Sequence, residues 1–202
     1  SFLDYMNNSL LLYKNQEKVW HINGYNYPTK INSKSDCFFF RVMFCWGWAT
    51  WRDRWLDFIQ DPLSCDPYYL KNTFNKNMIK EFDLNLRKSL FWNQVLENAN
   101  GKLNNTWDIF WYGFIFSKKG LCLTPKISLT RNIGHDGSGI HSNFDEKILS
   151  SVINQKKITQ YPNLIEEDLY CVNQIRMYLK KKNNIISRLI KKIFTINSKR
   201  KK

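Results

Sequence analysis

The sequence has no Cys-x-x-Cys pair, no apolar run long enough to span a bilayer, no internal repeat, and no acidic residue from Arg176 to its end. Each absence narrows the reading. Five cysteines (Cys37, Cys45, Cys65, Cys122, Cys171) are odd in number and scattered. Neither a disulfide framework nor a zinc site is implied; buried free thiols in a reducing cytoplasm are the simpler expectation. Ser1, not Met, opens the chain directly on a helical pattern, and no signal peptide is expected within it. That opening reads as a fragment of a longer protein.

The net charge of +14 is concentrated at one end. Eleven Lys and Arg lie between Arg176 and Lys202 with no Asp or Glu, which leaves +3 for the rest of the chain. A nucleic-acid binder carries its basic charge on a face of the folded body, so nucleic acid is not the expected partner. The segment 183–202 combines this charge with Ile185, Ile186, Leu189, Ile190, Ile193 and Phe194, the narrow apolar face of a basic amphipathic helix. The expected partner is an anionic membrane surface, with a disordered, solvated tail as the alternative.

What is plentiful is aromatic: eight Trp, ten Tyr and fourteen Phe within a 43% hydrophobic composition. Most belong in a core, and some suit the apolar faces of sugar rings. Phe2, Met6, Leu10 and Tyr13 recur at helical spacing. Residues 18–22 read as a strand ended by Gly24, and 36–42 as a strand buried on both faces. Helices are predicted over 49–59 (stopped by Asp61-Pro62), from Asp66-Pro67, over 84–99, from Thr106 to Gly120 with Thr106 as cap, and over 166–182. Residues 121–125 read as a further strand. Strands mixed irregularly with helices indicate an α/β fold with an incomplete sheet.

Three segments, in order, carry a resemblance: Val19 to Asn26; Phe44, Cys45, Trp46, Gly47, Trp48, Ala49, Thr50 and Trp51; and residues 105–111 with Trp107, Asp108 and Trp111, followed by Pro125 and the glycine-rich run 132–139. Together they resemble bacterial family-2-type glycosyltransferases of surface polysaccharide synthesis and, more remotely, the N-acetylglucosaminyltransferase I group. The resemblance covers residues 1–141 and implies the acceptor-side part of a GT-A, nucleotide-diphospho-sugar transferase fold. On that basis residues 1–160 form the acceptor-side half, and 161–202 the C-terminal helices with the basic tail.

The resemblance further implies transfer of a sugar from a nucleotide-sugar donor to a surface polysaccharide or lipid-linked glycan, with inversion. The alternative is a non-catalytic carbohydrate- or partner-binding module derived from such an enzyme. A divalent metal, Mn or Mg, is implied for the full-length enzyme, because hard cations bridge carboxylates and the donor diphosphate. No acidic pair precedes Asp4 in this sequence, so its ligands are expected outside the chain. The implied catalytic base maps onto Asp108, in the first turn of its helix; the alternative is an Asp that only stabilises that helix.

Trp46, Gly47 and Trp48, with Trp51, are the candidate acceptor platform, and Trp107 flanks the base. Trp51 and Trp55 have a core reading as well, and Arg52 and Arg54 read as a solvated face. Tyr25 and Asn26, on the loop after the first strand, are candidate acceptor contacts through ring stacking and hydrogen bonds. His135, Asp136, Gly137 and Ser138 belong to a loop able to close over the diphosphate, with His135 or His141 as a further metal ligand or else an ordinary turn. His21 reads as structural.

Overall fold

The computed structural model describes residues 1–61, 63–86, 90–102, 106–138 and 144–183, arranged about a four-stranded mixed sheet. Its strands are β1 (Val19–Asn23), β2 (Cys37–Phe40), β3 (Trp48–Ala49) and β4 (Leu121–Pro125), in the order β2-β4-β1-β3. β1 and β4 run parallel; β2 lies antiparallel to β4, and β3 antiparallel to β1. The fold is mixed α/β, with helices flanking the sheet.

Alternation along the strands divides the core in two. Phe38 and Phe40 of β2 join one apolar cluster, while Cys37 and Phe39 join the other, because successive side chains of a strand leave on opposite faces. Both faces are covered, which is why all four residues of β2 are apolar and buried. One face is closed by α1 (Phe2–Leu12), whose Tyr5 and Met6 are buried against it, as is Tyr13 just beyond the helix. Ser1 and Asp4 form a capping box at the start of α1. The other face is closed by α2 (Arg52–Gln60), α3 (Pro67–Thr73), α4 (Lys76–Phe82), α5 (Trp92–Ala99), α6 (Trp107–Ser117) and α8 (Leu169–Asn183). A short α7 (Glu146–Leu149) lies between β4 and α8.

Three helix starts and one cap differ from the sequence expectation, each for a physical reason. The helix predicted from residue 49 begins at Arg52, because Trp48 and Ala49 pair with Asn23 and Ile22 as β3. The helix predicted over 84–99 is helical only from Trp92, as α5; the described residues between Phe82 and Trp92 are not helical. Leu84 and Asn85 adopt positive φ, and the buried carboxylate of Asp83 accepts backbone N–H bonds from Leu90, Phe91 and Trp92 at 3.2, 2.6 and 3.2 Å. Asp83 thus ends α4 and opens α5 from a distance in sequence that a local cap pattern does not register.

Thr106 precedes α6 as expected but makes no side-chain cap bond; its hydroxyl accepts instead from Asn98 Nδ2 at 2.9 Å. α8 starts at Leu169 and not at Glu166, because Glu167 is drawn into an ion pair with Arg41 while Asp168 accepts the N–H of Cys171.

The stretch around residue 160 is stitched to β2. Asp36 Oδ2 accepts the N–H groups of Thr159 and Gln160, each at 3.0 Å, and Cys171, Val172, Ile175 and Leu179 of α8 pack into the same cluster as Phe38 and Phe40. Residues 161–183 therefore share a core with the segment before them. The segment 184–202, with its expected amphipathic helix, lies outside the described residues. No helix among the described residues is long and apolar enough to cross a membrane.

Candidate functional site

The loops that follow the parallel strands β1 and β4 gather with residues 44–48 at one end of the sheet. Gly24 N–H donates to Gly47 O at 2.7 Å, Leu129 N–H to Gly24 O at 2.8 Å, and the Thr130 hydroxyl to Trp46 O at 2.6 Å. The approach to residues 42–44 is anchored from inside the sheet. Asn23 donates to Val42 O and accepts the Phe44 N–H at 2.9 and 2.7 Å, and His21 Nε2 lies 3.2 Å from Phe44 O. Carboxyl ends of parallel strands are where open α/β sheets present ligands, because the loops there are free of the sheet ladder.

Gly47 is dictated by packing. Its φ of +72° favours glycine, and a Cβ at this position would lie 2.6 Å from Thr130 Cγ2 and 3.1 Å from the Phe2 ring. The close approach expected of Gly47 is therefore made to Thr130 and Phe2. The glycine turns the chain so that Trp46 and Trp48 serve two different aromatic groups.

Trp48 forms the first. It stacks on the imidazole of His21 at 5.2 Å and 16°, and faces Trp107 at 5.3 Å and 34°. Trp55 closes the group at 5.6 Å from Trp48, 6.1 Å from Trp107 and 5.4 Å from the buried Trp111. Trp107, at the first position of α6, is 40% exposed, so the wall opens to solvent there. His21 beneath it is fully buried. Trp111 Nε1 donates to its Nδ1 at 3.1 Å, which leaves Nε2–H to donate to Phe44 O. Burial lowers the His21 pKa from 6.5 to about 3, so the ring is a neutral structural group, in accord with its reading from sequence.

Asp108 follows Trp107 and is half-buried, with Oδ1 accepting its neighbour Ile109 N–H at 3.0 Å. Its carboxylate lies beside Cys45: the thiol is pushed up to about 12, first by burial and second by the Asp108 charge. The start of α6 and the 45–48 segment thus lie against each other, placing a carboxylate next to a tryptophan wall. Cys45 and Trp55 also belong to this site; Cys45 stood in the 44–51 segment but was read only as a buried thiol. Trp55 carried the signal of four-residue spacing from Trp51, but only the fold shows which wall it joins.

The second group centres on Trp46, whose ring meets Tyr25 at 4.4 Å and His135 at 5.2 Å, both edge-on. His135 arrives on a short 3-10 turn, Ile133–Asp136, and its carbonyl accepts the Asp145 N–H at 2.9 Å. Asp136 Oδ1 accepts both the N–H and the hydroxyl of Ser138, at 2.8 and 2.6 Å, and these bonds hold its pKa low. Gly137 takes φ +98° with open space around its α-carbon. His141 and Gly139 lie outside the described residues.

Two expectations about exposure are corrected. Tyr25 and Asn26 lie on the loop after β1, as read, but are buried: Asn26 donates to Pro125 O and Lys126 O at 3.0 and 3.1 Å, tying the β1 exit to the β4 exit. Arg54 is likewise buried, donating to Lys14 O and Gln16 O at 3.2 and 3.0 Å with its guanidinium 3.9 Å above the Trp51 ring. Trp51 in turn donates to Leu10 O at 3.0 Å and packs on the α1 side, apart from the Trp48 wall. Arg52 is exposed as read.

All five cysteines are free: Cys37, Cys122 and Cys171 buried, Cys45 half-buried and Cys65 exposed. Among the described residues no group of three or more His, Cys, Asp and Glu side chains is placed to hold a metal ion. Comparison with protein-family models, with curated proteins and with solved structures returned no match, so the site is read from its own geometry.

Proposed function

We propose that this chain is the acceptor-side part of a GT-A glycosyltransferase that transfers a sugar from a nucleotide-sugar donor to a surface polysaccharide or lipid-linked glycan. One observation carries the reading: the half-buried carboxylate of Asp108 stands at the start of α6, next in sequence to Trp107, whose exposed ring continues the Trp48–Trp55 wall. Indole faces take the C–H faces of pyranose rings, and a carboxylate beside them takes a proton from a sugar hydroxyl as that oxygen attacks the anomeric carbon of the donor.

In this reading Asp108 is the base, and Trp48 and Trp107 are the acceptor wall. Trp46 with His135 borders it, on the 133–138 turn that faces the donor diphosphate. The nucleotide and its Mn or Mg ion are held by polypeptide outside this sequence. The protein works peripherally on the inner, cytoplasmic face of the cell membrane, where lipid-linked acceptors are elongated.

The test separates binding from chemistry. Saturation-transfer NMR with hexose and N-acetylhexosamine oligosaccharides reads binding to the chain by itself. Transfer is read after the chain is joined to the nucleotide-binding half of a GT-A enzyme. The proposal expects Asp108→Asn to abolish transfer while oligosaccharide binding persists. Binding without transfer by the unsubstituted joined protein would favour a carbohydrate-binding module. No binding at all would overturn both.

A further inference from the structure

The exposed face of α8 is unusual for a helix that packs one side into a core. Cys171, Val172, Ile175 and Leu179 point inward, as their near-complete burial records. On the opposite side, within about a third of the helical circumference at 100° per residue, lie Leu169, Tyr170, Asn173, Met177, Lys180 and Lys181. Leu169, Tyr170 and Met177 are 62%, 60% and 70% exposed. The face therefore carries its apolar side chains from Leu169 to Met177 and is basic in its last turn.

The exposed charge on the helix itself is basic, and most carboxylates beside it are engaged. Of the carboxylates next to α8 in sequence or in contact with it, Glu167 holds Arg41, Asp168 accepts the Cys171 N–H, and Asp145 holds Lys182 at 2.8 Å; Glu166 is the exposed one among these four. The sequence after Asn183 adds seven Lys and Arg and no Asp or Glu.

We infer that the outer face of α8 is a docking surface for an anionic lipid bilayer, with Leu169, Tyr170 and Met177 entering the interface and Lys180 facing the headgroups. The charge complementarity points to an anionic partner, and the apolar side chains choose among anionic partners. A nucleic acid neutralises cations but offers exposed Leu and Met nothing along its phosphates, whereas a bilayer interface takes both. Apolar side chains set depth and cations set the preference for acidic headgroups, each cation near the surface contributing roughly fivefold in affinity. The inference extends the membrane partner read from the tail to a folded, described helix, and it does not depend on the sugar-transfer reading.

The experiment is co-sedimentation of the full chain with phosphatidylcholine vesicles and with vesicles mixing phosphatidylcholine and phosphatidylserine. The comparison is with Leu169→Gln/Met177→Gln and with Lys180→Glu. All three positions are exposed, and an unchanged thermal midpoint verifies folding. Expected are binding to the anionic vesicles and not the neutral ones, a loss on the order of tenfold for Leu169→Gln/Met177→Gln, and a loss for Lys180→Glu that, unlike the first, added salt erases. Anionic-vesicle binding unchanged in Leu169→Gln/Met177→Gln would overturn the inference, by assigning attachment to the charge beyond Asn183 alone. So would equal binding to neutral vesicles, no vesicle binding, or a duplex DNA that competes fully with vesicles and binds the double variant as well as the parent. Because no sugar transfer is measured, these outcomes leave the transferase proposal to its own test.

Discussion

Trp111 donates its indole N–H to His21 Nδ1 at 3.1 Å, and that bond fixes which imidazole nitrogen keeps its proton. Nε2–H is left to donate to Phe44 O, so a single neutral ring joins α6, β1 and the strand-like approach to Trp46. Protonating His21 would give Nδ1 a hydrogen where it must accept one. The ring's burial adds the cost of an ion without water.

Acid sensitivity follows. With the folded pKa near 3 and the ordinary value at 6.5, the unfolded chain binds the proton first as pH falls. Stability contributed by keeping His21 neutral is complete above pH 6.5 and is lost progressively toward pH 3, at about 1.4 kcal/mol per unit. Urea unfolding at pH 7 and pH 5 is expected to differ by about 2 kcal/mol from this group. His21→Gln should start about 1–3 kcal/mol less stable at pH 7 and show a flatter pH dependence. An equal slope in the variant would assign the acid sensitivity to other groups.

Asp83 organises the break between α4 and α5. Its Oδ1 gathers three N–H groups, while Oδ2 is buried with no partner among the described residues. Replacing it with Ala leaves three donors unmet, one buried and two part-buried, and is expected to cost about 2–4 kcal/mol. Asp83→Asn retains an acceptor oxygen and should cost less than half of that. The comparison is made by urea titration at neutral pH; equal losses would mean that the negative charge, and not the acceptor, holds the segment.

These elements show what was legible in the chain and what was not. The near-continuous apolar run marked β2 as a strand buried on both faces, and Phe38 and Phe40 do face one cluster and Cys37 and Phe39 the other. The Asp66-Pro67 start of α3 was equally plain, since cap and fixed φ sit within two residues. The α4–α5 break was hidden: residues 84–99 retain helical spacing, and Asp83 acts seven to nine residues away. β3 was hidden for a similar reason, since its two residues form a strand only because β1 lies beside them. At the site, the tryptophans were legible as candidates and the wall was not. Trp46, Trp48 and Trp51 are near neighbours in sequence yet point into three different surroundings once Gly47 turns the chain.

Gly47 is the pivot of that divergence and admits a two-part test. Gly47→Ala forces a side chain into φ +72° and into contact with Thr130 Cγ2. A loss of about 1–3 kcal/mol is expected. Thr130→Ser removes Cγ2 and keeps the hydroxyl that binds Trp46 O. In the Gly47→Ala background it should therefore recover the steric part and leave the backbone part. A double variant no more stable than Gly47→Ala would mean that backbone conformation accounts for the whole cost, or that the Phe2 ring is the harder obstacle.

The tryptophan wall predicts an order among variants that a merely structural cluster would not produce. Trp107 is the exposed member, Trp48 is supported between Trp107 and His21, and Trp111 is committed to the core. If sugar rings lie on the exposed indole, Trp107→Ala should weaken oligosaccharide binding by about tenfold, or 1.4 kcal/mol, with little change in thermal midpoint. Trp48→Ala should weaken binding and stability together, since it also uncovers His21. Trp111→Phe should lower stability through the lost Nδ1 bond while the folded protein still binds. Asp108→Asn preserves size and one acceptor oxygen, so its binding should stay within about twofold while transfer in the joined enzyme disappears. Titration by intrinsic fluorescence beside calorimetric unfolding reads binding and stability on the same samples. Binding that simply tracks stability across these variants would reduce the wall to a piece of the core, and Asp108 to the first turn of its own helix.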